Sequence, residues 1–236
     1  MEKTIVMSLG GSVIVPERVD VEFLGDFKKT VEKYISRGYR FAIYCGGGKI
    51  ARDYQKAASG IAKLSNRELD WIGIHATVLN AEFVRSLFGN LAEEFIVRDP
   101  TQKISFNKKV LIAAGWKPGW STDYDAVLLA KNLGADAIIN MSNVDYIYDK
   151  DPKKHKDAKK IKRISWKDYR KISGDKWEAG LSLPFDPVAA KEAEKSKLKA
   201  AIIGKDLENF EKVLDGKEFR GTLIVGNSPL LAANGL

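Results

Sequence analysis

Gly46-Gly47-Gly48-Lys49-Ile50-Ala51-Arg52 follows the apolar run Phe41-Ala42-Ile43-Tyr44-Cys45 and precedes a helical pattern. The stretch reads as a strand, a turn without side chains and a helix start. Three successive residues lacking a Cβ permit positive φ and close backbone approach to a bulky ligand, and the free N–H groups at the following helix start attract an anion. Arg52, four residues past Gly48, adds a forked cation suited to the same phosphate. The plain alternative is a tight turn with surface charges. The triple glycine at the end of a buried-type strand, with Lys49 and Arg52 in the next turn, favours phosphate. It is not a Walker A loop, because Ile50 follows Lys49 where Ser or Thr would stand, and the four-residue spacer is missing.

The same pattern recurs outward from this stretch. Thr4-Ile5-Val6-Met7-Ser8-Leu9 reads as a buried strand that ends in Gly10-Gly11-Ser12, and the apolar spacing of Val21 to Ser36 is helical, with Gly38 as a stop. The chain thus opens β–glycine turn–α–β–glycine turn–α, which argues for a mostly parallel sheet sandwiched by helices, an α/β fold. Asp70 to Phe88 reads as the longest helix. Asp70 near its start suits the helix dipole or a ligand, and the local sequence favours the dipole role. Val110 to Ala114 is a strand followed by the turn Gly115 to Asp123 and a helix from Tyr124 to Leu133; Ser121, Thr122 and Asp123 read locally as helix caps. Three glycine-bearing turns at strand ends outline one crevice, the place where open α/β sheets bind ligands.

Ala137 to Met141 is a further core strand. The loop after it, Ser142 to Pro152, carries hydroxyls, an amide, carboxylates and Tyr rings that suit either a nucleoside phosphate or an ordinary turn. Then come a basic block from Lys153 to Arg163, a short helix from Trp166 to Ile172, and the loop Ala179 to Pro187. A helix from Val188 to Ser196, a strand from Lys199 to Ile203, a helix from Leu207 to Leu214 and a strand from Thr222 to Val225 follow. With no repeat and no low-complexity linker, 236 residues read as one domain of two lobes dividing near Thr122, with a short tail after Gly226.

The net charge of +8 allows nucleic acid, a membrane surface or small polyanions, but the lysine block lacks the interleaved aromatics of a stacking platform, so no specific nucleic acid is expected. No apolar run reaches the roughly 20 residues of a membrane span, and Met1-Glu2-Lys3 does not open a signal peptide; a cytoplasmic setting is expected. The lone Cys45 excludes an internal disulfide and reads as a buried thiol. His75 and His155 are too isolated for a metal site.

Taken together, Gly10-Gly11-Ser12-Val13, the triple glycine through Arg52, Asp70 with Ile72-Gly73-Ile74, Pro118-Gly119 with Ser121-Thr122-Asp123, Ser142-Asn143-Val144-Asp145 with Tyr148 and Asp151-Pro152, and Asp186-Pro187 carry a resemblance. In their order and spacing the chain resembles the amino acid kinase superfamily from Lys3 to about Val225, and within it the archaeal-type uridylate (UMP) kinases. The resemblance implies the superfamily's three-layer fold and transfer of the γ-phosphoryl group of ATP to UMP, with Mg²⁺, in a homohexamer built from dimers. It implies Gly11, Ser12, Gly48 and Arg52 on the ATP phosphates, and Ser142, Asn143, Tyr148 and Asp151 around the ATP nucleoside. UMP falls to Gly47, Asp70 and the turn Trp116, Lys117, Pro118, Gly119, Trp120, Ser121 and Thr122. Asp123 is implied as an organiser of cationic groups, with helix capping left open beside it.

Several positions depart from the pattern. The superfamily's first-strand lysine is matched to Met7, which leaves Mg²⁺, Arg52 and one of Lys49 or Lys117 to supply its charge. Tyr146 stands where glycine is usual, and Trp116 and Trp120 make the UMP turn bulky. A same-fold kinase for another small phosphate or carboxylate, and a nucleotide-binding protein without turnover, are the alternatives.

Overall fold

The computed structural model describes residues 2–104, 106–152, 154–174 and 183–226. Lys153 of the basic block, Ala179 to Ser182 of the loop before Pro187, and all but the first residue of the tail from Gly226 lie outside these residues. Strands β1 (Lys3–Leu9) and β2 (Tyr39–Cys45) form the centre of the sheet, paired parallel in register from Lys3 opposite Tyr39 to Leu9 opposite Cys45. Around them lie β3 (Ala92–Val97), β4 (Val110–Ala113), β5 (Ala137–Met141), β8 (Arg163–Ser165), β9 (Lys199–Ile203) and β10 (Thr222–Val225), in the order β3-β4-β2-β1-β5-β9-β10-β8. Within this sheet, among the described residues, only the β9–β10 pairing is antiparallel. A short hairpin of β6 (Ile147–Tyr148) and β7 (Lys160–Ile161) stands apart from this sheet.

Alternation along the central strands sends side chains to two cores. Met7, Leu9, Ile43 and Cys45 face one, with Phe27 and Val31 of helix α2 (Val21–Ile35) and Phe210 of α8 (Leu207–Leu214). Val6, Ala42 and Tyr44 face the other, with Leu129 of α5 (Thr122–Asn132), Trp166 of α6 (Trp166–Ser173) and Ala190 of α7 (Pro187–Lys195). A sheet buried on both faces and covered by helices is the three-layer architecture the sequence pattern implies. Trp166 is fully buried, gives its indole N–H to Leu198 O at 2.6 Å and packs on Phe185. Trp166→Ala is therefore expected to cost about 3–5 kcal/mol in urea unfolding; a loss under about 1 kcal/mol would contradict this packing.

Several elements differ from the sequence reading, among them β6, β7 and β8, which form in a stretch read as a loop and a basic block. Helix α1 (Gly11–Ile14) begins inside the first glycine turn. Helix α4 (Asn66–Phe88) starts four residues before Asp70 at a reciprocal cap, in which Ser65 Oγ accepts from Glu68 N and the Glu68 carboxylate accepts from Ser65 N. Strand β3 carries Glu93 and Glu94, which hides its apolar alternation. Glu93 is nevertheless buried, because its Oε1 accepts the backbone N–H groups of Asn107 and Lys108 at 2.6 and 2.7 Å.

Candidate active site

The turns after β1, β2, β4 and β5 all lie at the carboxyl ends of parallel strands. Two of them touch through backbone alone. A Cβ placed on Gly11 would stand 2.1 Å from Gly48 N and 2.5 Å from Gly46 O, and one on Gly48, whose φ is +63°, would stand 2.3 Å from Gly11 C. Gly10 lies against Ser142 in turn, its own virtual Cβ 3.4 Å from Ser142 Cα. Helix α3 (Gly48–Ile61) starts at this junction, so the N–H groups of its first turn have no partner within the helix.

A cavity of ≈ 250 Å³ opens beside it, lined by Gly47, Gly48, Arg52, Asp70, Trp120 and Thr122 of the expected site residues. Ala51, Gln55, Gly73, Ile74, Thr77 and Gly115 complete its wall. Trp116, Lys117, Pro118, Gly119 and Ser121 shape the turn without lining the cavity. Among the described residues Arg52 forms no ion pair and no hydrogen bond, whereas Lys49 Nζ is held by Asp53 at 2.6 Å and Glu17 at 3.6 Å. Lys117 Nζ lies 3.7 Å from the centre of the Trp116 ring, and the Trp120 ring stacks on Tyr124 at 4.3 Å.

The turn is held at several points. Gly115 N donates to Thr77 Oγ1 at 2.8 Å, Arg98 Nε donates to Gly115 O at 3.1 Å, and Trp116 N donates to Asp125 Oδ2 at 3.0 Å. At its far side Gly119, with φ +86°, donates its N–H to Asp70 Oδ2 at 2.8 Å. Asp70 thus lies in the second turn of α4 and faces the cavity, while the capping role belongs to Ser65 and Glu68. Ser121 caps α5 by accepting from Tyr124 N at 3.1 Å. Asp123 instead joins three elements: it accepts from Asn140 Nδ2 at 3.0 Å, from Asp186 N at 3.1 Å and from Ser8 Oγ at 3.5 Å. No cation is among these partners.

That geometry corrects the assignment of Met7. Met7 is fully buried in the core, and the β1 side chain that reaches Asp123 is its neighbour Ser8. A strand alternates its faces, so a cation entering the site from β1 would stand at position 8. On the other side of the junction, Ser142 N donates to Ile203 O at 3.0 Å, Asn143 is exposed, Tyr148 lies on β6, and Asp151 follows it with Lys154 Nζ at 3.9 Å. Tyr146 is buried with Lys160 Nζ 4.9 Å from its ring centre, and the one non-glycine residue with positive φ among the described residues is Lys197. The backbone at Tyr146 therefore does not call for glycine.

Burial, then the charge of Asp186, pushes the Asp123 carboxyl up to about 7, and burial likewise pushes Asp125 up to about 7. An unfolded-chain carboxyl titrates near about 4, so between about pH 4 and about pH 7 the folded chain holds protons that the unfolded chain has lost. The stability these groups contribute is full below that window and is lost as the pH rises through about 7. Asp125→Asn is expected to reduce the fall in urea midpoint between about pH 5 and about pH 8, with Asp123 supplying the remainder. An unchanged fall would show that Asp125 does not titrate in this window.

Backbone cradles meeting at the carboxyl ends of parallel strands, beside a cavity overhung by an unpaired guanidinium, define a phosphate-handling α/β protein. The chain belongs to the amino acid kinase family, whose sequence profile matches residues 3–204. It is 38% identical over 224 residues to the uridylate kinase of Thermococcus kodakarensis, covering 93% of this chain and 98% of that one. It is also 34% identical over 220 residues to the uridylate kinase of Thermoplasma volcanium, covering 92% and 95%. The crystal structure of uridylate kinase from Archaeoglobus fulgidus superposes with a TM-score of 0.80 at 35% identity, covering 95% of this chain and all of that one.

Sequence reasoning missed Gln55, Thr77 and Asn80. All three sit within helical patterns, where a polar residue at an inward position is the one available signal.

Proposed function

We propose that the protein transfers the γ-phosphoryl group of ATP to UMP, giving UDP and ADP, as a step of pyrimidine nucleotide biosynthesis. The observation that carries this reading is the backbone contact between the turns at Gly11 and Gly48, which sets two phosphate cradles side by side at the mouth of one cavity. The uridylate kinases named above support the choice of UMP. Gly11, Ser12, Gly48 and Arg52 hold the ATP phosphates, and Ser142, Asn143, Tyr148 and Asp151 surround the ATP nucleoside. Gly47, Asp70 and the turn from Trp116 to Thr122 hold UMP. The donor lobe is then about residues 122–226 and the acceptor lobe about 1–121.

A UMP phosphate oxygen is already anionic at neutral pH, so attack on the γ-phosphorus needs no general base. The chain's part is in-line positioning and neutralisation of charge by N–H groups and Arg52. Asp123 acts by tying β1, β5 and α7 together behind the reacting groups. Mg²⁺ would enter with ATP rather than sit in a protein cage, since the described residues hold no cluster of three or more His, Cys, Asp or Glu; Asp186 offers a hard oxygen donor whose buried Oδ2 has no hydrogen-bond partner among them. Bound with ATP, the ion would offset phosphate charge, with Asp186 the residue to hold it.

No helix among the described residues is long and apolar enough to cross a membrane, and a cytoplasmic setting belongs to the same reading. So does a homohexamer built from dimers, for which exposed Ile61 and Leu79 supply apolar surface. ADP release measured with ATP, Mg²⁺ and separately UMP, CMP, AMP and GMP tests the activity. Strong preference for UMP is expected. Turnover of another acceptor, or ATP binding without any product, would overturn it.

A further inference from the structure

Asn80 stands in the middle of α4 with 2% of its surface exposed, and its amide nitrogen reaches back to the triple glycine. Nδ2 donates to Gly46 O at 2.7 Å and to Gly47 O at 3.3 Å. No other side chain among the described residues hydrogen-bonds either carbonyl. We propose that Asn80 is the positioning residue that aims the N–H groups of the triple-glycine turn at the phosphates, that of Gly47 at the acceptor and that of Gly48 at the donor, an inference that rests on reading this turn as the phosphate cradle.

The reason lies in the peptide bond. In a planar trans peptide the C=O of one residue and the N–H of the next point in opposite directions. Drawing the Gly46 carbonyl toward Asn80 therefore turns the Gly47 N–H away from it, and drawing the Gly47 carbonyl does the same to the Gly48 N–H. Gly47 and Gly48 line the cavity, so both donors are presented at its edge. Three glycines in a row have no intrinsic preference that would hold these peptide planes in place. The neighbouring contacts are main-chain or apolar: Ala51 N reaches Gly47 O only at 3.4 Å, and a Cβ on Gly47 would meet Ala51 Cβ and Gly73 O. The clamp on the plane directions is thus the buried amide.

Three replacements separate hydrogen bonding from packing. Asn80→Asp keeps the shape and, with its carboxyl ionised, removes the donors, Asn80→Ala removes both, and Asn80→Ser returns one donor. Asn80→Ala and Asn80→Asp are expected to lower kcat/KM for UMP by about 10²-fold and to lower kcat/KM for ATP with it, and Asn80→Ser to recover part of the loss. Should the Asp variant fail to fold, the Ala and Ser pair carries the comparison. A second readout needs no turnover: the ¹H–¹⁵N signals of Gly47 and Gly48 during titration with UMP, with ADP and with inorganic phosphate. In the natural chain both signals should move, and in Asn80→Ala they should not. A natural chain that shows this shift yet phosphorylates no UMP would sink the proposed function and leave the role of Asn80 standing. Equal shifts in the natural chain and in the Asn80→Ala variant, or an Asp variant with unaltered kcat/KM, would overturn the role of Asn80.

Discussion

Gly11→Ala is expected to lower UMP phosphorylation at least about 10²-fold, the scale set by displacing reacting groups by about an ångström. The added methyl would stand 2.1 Å from Gly48 N, 2.5 Å from Gly46 O and 2.5 Å from Gly47 C. All three are main-chain atoms, so no side chain can swing aside. Relief requires the two turns to separate, which moves the donor and acceptor cradles apart together. The control is Gly25→Ala, in the middle of α2, where an added Cβ meets nothing within 4 Å. That change should leave turnover untouched and stabilise the helix by up to about 1 kcal/mol. Steady-state kinetics with both substrates saturating, alongside thermal unfolding of each variant, decides the matter. Turnover by Gly11→Ala within about threefold of the natural chain would mean that the close approach of the turns is not used in transfer.

Arg52→Ala should reduce kcat by about 10²–10³-fold, the usual cost of removing one preorganised group that meets transition-state charge. Arg52 is exposed and unpaired among the described residues, so the substitution should change stability by no more than about 0.5 kcal/mol. The neighbouring cations are placed differently: Lys49 pairs with Asp53 and Glu17, and Lys117 lies over Trp116. From β1, Ser8 brings a hydroxyl to Asp123 and no charge. Arg52→Lys should recover only part of the loss, because a point charge does not reproduce a two-pronged contact with a phosphoryl group. A kcat for Arg52→Ala within about threefold of the natural value would remove Arg52 from the transfer step.

The fold and much of the candidate site are legible in the chain because strand ends and glycine turns are local signals. The triple glycine, Gly10-Gly11 and Pro118-Gly119 each follow an apolar run, and the topology that gathers them at one sheet edge follows from β/α alternation. What stays hidden depends on partners distant in sequence. Strand β3 looks too acidic until Asn107 and Lys108 are seen to donate to Glu93. Asp70 reads as a dipole partner until the distant Gly119 N–H is placed against it. Met7 and Ser8 are separated only by knowing which face of β1 meets Asp123, a question of register that a short buried strand leaves open. Asn80, flanked by Leu79 and Ala81, passes for a minor blemish on an apolar helix until its amide is found on the glycine carbonyls.

The contact between the turns at Gly11 and Gly48 has a consequence for heredity. Every missense change of a single base in a glycine codon installs a residue with a β-carbon. At these two positions that means new atoms where main chain already stands. Active sites are commonly broken by deleting a functional group; this one should also be broken by adding matter. The damage is set by the first carbon added rather than by further bulk or polarity, so alanine and serine should be nearly as harmful there as valine or aspartate.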